Sequence, residues 1–121
     1  MPFENIWEES GVYRKYHSQV TGNEISQAME EVHGHELFDS IRYVINDYLN
    51  VIECTVTAAD VVTLAALDKA AALSNPNIKI AIVATDSIIH LLANLYGDLI
   101  EDSSYTSKVF TNLDEARVWA T

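Results

Sequence analysis

The stretch "NPNIKIAIVATD", Asn75–Asp86, decides the fold. Its centre, Ile78–Ala84, is short, rich in β-branched residues and apolar at both odd and even positions. A strand that must be covered on both faces reads this way, whereas a half-exposed strand alternates. Asn75-Pro76-Asn77 stops whatever precedes it, because proline cannot continue a helix. Asp86 is placed to cap whatever follows. The strand is therefore central and flanked by helices.

Working outward, both neighbours fit. Upstream, "TAADVVTLAALDKAA" (Thr57–Ala71) carries Leu64, Leu67 and Ala71 at helical spacing. Thr57 and Asp60 stand three apart, the spacing of a capping box. The many alanines keep this helix thin, so it lies close to a sheet. Downstream, "SIIHLLANLYGDLI" (Ser87–Ile100) has Ile88, Leu91, Leu92, Leu95 and Leu99 on a broad apolar face. Before the alanine-rich helix, "IRYVINDYLNV" (Ile41–Val51) is apolar on both alternation faces, a second covered strand. After the leucine-rich helix come a last strand, "TSKVFTN", and a last helix, "LDEARVWA", with Asn112 and Glu115 at cap spacing.

The first third opens with a hairpin. Asn5–Ser10 and Val12–Val20 read as strands joined at Ser10-Gly11, where Gly11 is expected to supply a positive φ. "TGNEISQAMEEV" then puts Ile25, Ala28, Met29 and Val32 on one helix face, with Thr21 and Glu24 as a capping box and Gly34 as a stop. The order is strand, strand, helix, strand, helix, strand, helix, strand, helix. Such alternation implies parallel strands joined by right-handed crossovers. The expectation is one α/β domain over residues 1–121, with a mixed, mostly parallel sheet of about five strands.

Composition excludes several functions. The chain has 121 residues, 49% apolar and 21% charged, and a net charge of −11. Such a surface repels phosphate backbones and anionic headgroups, so neither nucleic acid nor a basic-patch membrane contact is expected. No apolar run approaches the ~20 residues that span a bilayer, so stable membrane insertion is not expected. The first residues are acidic, unlike a signal peptide. A lone cysteine, Cys54, forms no internal disulfide and points to a reducing compartment, most simply the cytoplasm.

Three stretches carry a resemblance: "IWEESGVYRKYHSQVTGNEI", "LDKAAALSNPNIKIAIVATD" and "NLDEARVWA". With their spacing they cover nearly the whole chain, and they resemble the SpoIIAA-like family. That family is related to STAS domains and, more distantly, to the CRAL-TRIO lipid-binding fold. It holds many uncharacterised small bacterial proteins, so the resemblance implies a bacterial source. None of the matching stretches is a catalytic motif. In anti-sigma-factor antagonists of this fold, a partner kinase phosphorylates a serine in an Asp-Ser-(Ser/Ala)-Gly motif that opens the helix after the third strand. Here that position reads Thr55-Val56-Thr57-Ala58-Ala59-Asp60, with no Asp-Ser pair and no glycine. Thr57 is only the nearest hydroxyl, and the phosphosite is not carried over to it. Capping accounts for Thr57 fully, and Asp60 would repel a dianionic phosphate.

Ligands of open α/β sheets sit beyond the carboxyl ends of the strands. That end holds Thr55 and Thr57, then Thr85, Asp86 and Ser87, with His90 one turn further along. These are the candidate ligand-binding residues, and each has a competing role as a helix cap or an internal hydrogen-bond partner. His33-Gly34-His35 beside several acids invites a metal reading. Pair spacing alone is weak evidence for the three or four convergent ligands a zinc site needs, so no metal and no cofactor are expected. Cys54 has no histidine nearby in sequence, and there is no Gly-x-Ser-x-Gly elbow, so catalysis is not expected. The leucine-rich helix is apolar around most of its circumference. One sheet face cannot bury all of it. The surplus suits a pocket for a small apolar ligand, contact with a lipid, a protein partner or a homodimer. Trp7, Tyr13, Tyr16 and Tyr43 are available as aromatic walls. The expected function is a non-catalytic binding or regulatory domain, with a phosphoswitch antagonist as the alternative and a metal-dependent or hydrolytic enzyme a distant third.

Overall fold

The structure, a computed structural model, describes residues 2–121. Five strands and four helices follow in the expected order: β1 (Phe3–Trp7), β2 (Gly11–Val20), α1 (Gly22–His33), β3 (Tyr43–Cys54), α2 (Ala58–Ala71), β4 (Lys79–Val83), α3 (Ser87–Leu99), β5 (Thr106–Phe110) and α4 (Leu113–Ala120). A short 3₁₀ turn, Phe38–Ser40, lies between α1 and β3. The strands lie in one sheet in the order β1-β2-β3-β4-β5. The β1–β2 pair is antiparallel and every other pair is parallel.

This order explains the layering. Each parallel step moves one place in the same direction, and each crossover is expected to be right-handed, so successive helices land on one face. Val12, Val44, Ile80 and Ile82 on that face share a core with Val32, Val61 and Ala93 from α1, α2 and α3. The other face belongs to α4. Tyr43, Ile45, Ala81 and Val83 pack there with Ala116 and Ala120. β4 is buried from Ile80 to Val83, the central strand that its composition requires.

Some boundaries differ from the sequence reading. β1 ends at Trp7 and Glu8–Ser10 form the turn, whereas a strand over Asn5–Ser10 was expected. Gly11 does not adopt a positive φ. Its requirement is steric: a Cβ there would lie 2.5 Å from the Tyr43 ring. The one described non-glycine residue with positive φ is Ser18, at 62°, where the β2–β3 register shifts. β3 starts at Tyr43 and runs on to Cys54, beyond the Val51 expected, because its second half pairs with the far end of β2.

The helix starts follow the sequence. Thr21 and Glu24 make a complete capping box, as do Thr57 and Asp60. Asp86 accepts from the amides of Ile88 and Ile89. Asn112 accepts from the Glu115 amide to open α4.

A cavity beneath three helices

Three strands set a polar row into an otherwise apolar floor. The register aligns Asn5 with Arg14, and Arg14 with Asn46. All three face α1–α3, because they share alternation faces with apolar neighbours: Val12 and Tyr16 for Arg14, Val44 and Tyr48 for Asn46. Arg14 is only 4% exposed. Its Nε donates to Asn5 Oδ1 at 2.7 Å, its Nη1 to Asn46 Oδ1 at 2.9 Å and its Nη2 to the Ala28 carbonyl at 3.4 Å. These partners are all neutral. None of the ion pairs among the described residues includes Arg14.

A second polar group stands toward the amino end of the parallel strands. Asp68 is buried on α2, where it accepts from the Tyr96 hydroxyl of α3 and lies 3.1 Å from His33 Nε2 of α1. Tyr105, just before β5, is 4% exposed, and its hydroxyl has no partner. Burial pushes the phenol groups of Tyr96 and Tyr105 well above their ordinary range, and the Asp68 charge adds to this. Both remain neutral donors.

Between these groups lies a cavity of about 90 Å³. Arg14, His33, Asn46, Tyr48, Asp68, Tyr96 and Tyr105 contribute its polar wall, and mostly aliphatic side chains from β3, β4 and all three covering helices contribute the rest. Along the chain the wall reaches from Ile78, just before β4, to Ile82 within it, about 13 Å at the usual rise of a strand.

The residues singled out in the sequence lie elsewhere. Thr55, Thr57, Thr85, Asp86, Ser87 and His90 stand at the carboxyl ends of β3 and β4, and none of them lines the cavity. Several have local hydrogen bonds. Thr55 Oγ1 donates to the Val20 carbonyl, Thr57 Oγ1 accepts from the Asp60 amide, and His90 Nε2 lies 2.5 Å from the Ala84 carbonyl. A crevice forms at the carboxyl end where strand order reverses, and this sheet runs from β1 to β5 without reversal. His33 and His35 diverge. His33 turns inward to Asp68, while His35 packs at a tilt against Trp7 with ring centroids 4.2 Å apart. His33 is therefore partly buried although it stands at a helix end. Of the four aromatic residues proposed as walls, Tyr13 and Tyr43 belong to the α4 face, with hydroxyls on Asp47 and Glu8. Cys54 does line the cavity, and burial pushes its thiol up, away from the reactive thiolate.

Arg14 and Asp68 do not stand out in the sequence because charged side chains ordinarily face solvent. Their positions carried the signal. Arg14 sits between Val12 and Tyr16 on one strand face. Asp68 is the i+7 member of the buried stripe Val61, Leu64, Ala65.

The chain has a SpoIIAA-like fold. It is similar to a crystal structure of an uncharacterised DUF3478-family protein with a SpoIIAA-like fold from Shewanella loihica PV-4. The TM-score is 0.59 at 11% identity, over 98% of this chain and 92% of that one. It is also similar to the anti-sigma factor antagonist SpoIIAA in its unphosphorylated form, with a TM-score of 0.63 at 7% identity, over 96% and 94% of the two chains. No family model and no curated protein matches the sequence. Among the described residues, no helix is long and apolar enough to cross a membrane.

Proposed function

We propose that this chain is a non-catalytic binding domain that takes a small apolar or amphipathic ligand into the cavity between the sheet and α1–α3. The observation that carries this reading is a mostly apolar interior space into which a buried, unpartnered Tyr105 hydroxyl is built. Buried polar atoms ordinarily find partners, and such an orphan calls for a guest. Its regulatory side rests on α3. Leu92, Ala93 and Tyr96 of this helix form cavity wall, while Ile88 and Leu91 are 55% and 65% exposed. A ligand that shifts α3 changes an apolar surface available to a protein partner.

The alternative is a phosphoswitch at Thr57, which is exposed and opens α2 as the reference fold requires. It ranks second because the Thr57 hydroxyl is engaged in its capping box and Asp60 is next to it. Mass spectrometry of protein purified from its own host separates the two. A mass present under native conditions and lost on denaturation supports the binding domain. A covalent phosphoryl group on Thr57 sinks the first reading in favour of the second. Protein that carries neither, and whose cavity also excludes xenon and 1-butanol, refutes the cavity's role.

A further inference from the structure

Arg14, the one arginine or lysine lining the cavity, narrows the class of guest. We propose that the ligand is a short-chain monocarboxylate whose carboxylate sits on Arg14 and whose hydrocarbon tail lies against the aliphatic wall. This rests on the binding reading above and adds the charge and size of the ligand.

Three observations lead here. First, Arg14 is buried with neutral partners alone. A guanidinium has five N–H donors, and three are directed at Asn5, Asn46 and Ala28, so two remain. A buried charge is normally paired. The carboxylate on this wall, Asp68, is already held by Tyr96 and His33. Second, Tyr105 on the cavity's polar wall is buried and its hydroxyl is unpartnered. Burial holds that phenol protonated, so it stands as a neutral donor. A carboxylate is an acceptor only, and it matches the planar fork of arginine. Third, the rest of the wall is largely aliphatic and the space is small, about 90 Å³. An engineered cavity of ~150 Å³ takes benzene, so this one suits a guest on the order of four to six non-hydrogen atoms, from acetate to butyrate. A phosphate or sulfate dianion would need more than one cation to leave water.

The test compares sodium butyrate with its neutral isostere 1-butanol, at constant ionic strength set with sodium chloride, by two-dimensional NMR and thermal shift. The expected result is saturable butyrate binding that perturbs the methyl groups of Ile80 and Met29, with 1-butanol at least tenfold weaker. Arg14→Lys keeps the charge but loses the fork, and it should weaken butyrate about tenfold while leaving 1-butanol unchanged. Arg14→Met should abolish the preference for the acid. If that variant does not fold, the wild-type comparison and the lysine variant still decide. Equal binding of acid and alcohol, or an Arg14→Lys variant with wild-type affinity for butyrate, overturns the anion inference and leaves the binding domain standing. Competition by chloride that displaces butyrate without any tail perturbation assigns the site to an inorganic anion and also overturns it. If butyrate, 1-butanol and xenon are all excluded, the binding reading falls as well.

Discussion

Thr57 shows how much a short spacing decides. Its hydroxyl accepts from the Asp60 amide at 3.1 Å, and the Asp60 carboxylate accepts from the Thr57 amide at 2.9 Å. Two donors left over at the start of α2 are thus satisfied locally. Thr57→Ala removes one of these bonds and should cost about 1 kcal/mol. Urea denaturation checks this, and a variant with the wild-type midpoint would contradict the cap. Such boxes were legible because they depend on residues three apart. Gly11 was misread for the opposite reason. Its lack of a side chain answers to Tyr43, 32 positions along the chain, and no local turn rule contains that contact. Arg14 belongs to the same class. Its face is written in the alternation of β2, but its partners Asn5 and Asn46 come from two other strands.

At the scale of elements, single carboxylates tie separate pieces together. Asp68 joins α2 to α1 through His33 and to α3 through Tyr96. Tyr96→Phe keeps the ring in its packing and removes only the donor. Leaving a buried carboxylate short of one partner costs about 1–3 kcal/mol. The loss should appear as a lower urea midpoint with an unchanged slope, and a shallower slope would mean that the helices had loosened as well. On the other face, Glu8 anchors α4 by a two-pronged contact with Arg117, at 2.9 and 3.1 Å, and it also accepts from Tyr43. The Arg117 hydrogen bonds hold the Glu8 carboxyl below its usual value, and Tyr43 assists, while burial opposes them. The same contact, after burial, helps push the Tyr43 phenol up to about 12. A carboxyl depressed in the folded state adds stability that is fully present above its unfolded value, about 4.3, and is lost as pH falls through the folded one. The stability gap between wild type and Glu8→Gln should therefore be present at pH 7 and close as pH falls below about 4.3. A gap independent of pH would show that Glu8 acts through packing alone.

For the whole molecule, the class of fold was legible and the cavity was not. Alternating strands and helices imply parallel pairs, and a strand such as Ile78–Ala84 must be covered on both faces. The absence of a reversal in strand order is a property of the assembled sheet, and it leaves no switch point beside the candidate residues. A cavity is what side chains from several elements leave unfilled, so no single segment announces it. Net charge acts at this scale too. At −11, the chain carries 18 acidic residues against 7 lysines and arginines. Among the described residues, two salt bridges join acidic side chains to a lysine or arginine, Lys69–Asp102 and Arg117–Glu8. Most acidic groups therefore meet like charge at middle distance, which opposes the compact state. Salt shortens the reach of that repulsion, from about 30 Å at 0.01 M to about 8 Å at 0.15 M. It also weakens exposed pairs such as Lys69–Asp102, but such a pair contributes little. Repulsion should dominate, so the melting temperature should rise as sodium chloride is raised from 0.01 to 0.15 M, measured by calorimetry at pH 7. A fall over that range would mean that specific ion pairs outweigh the surplus negative charge.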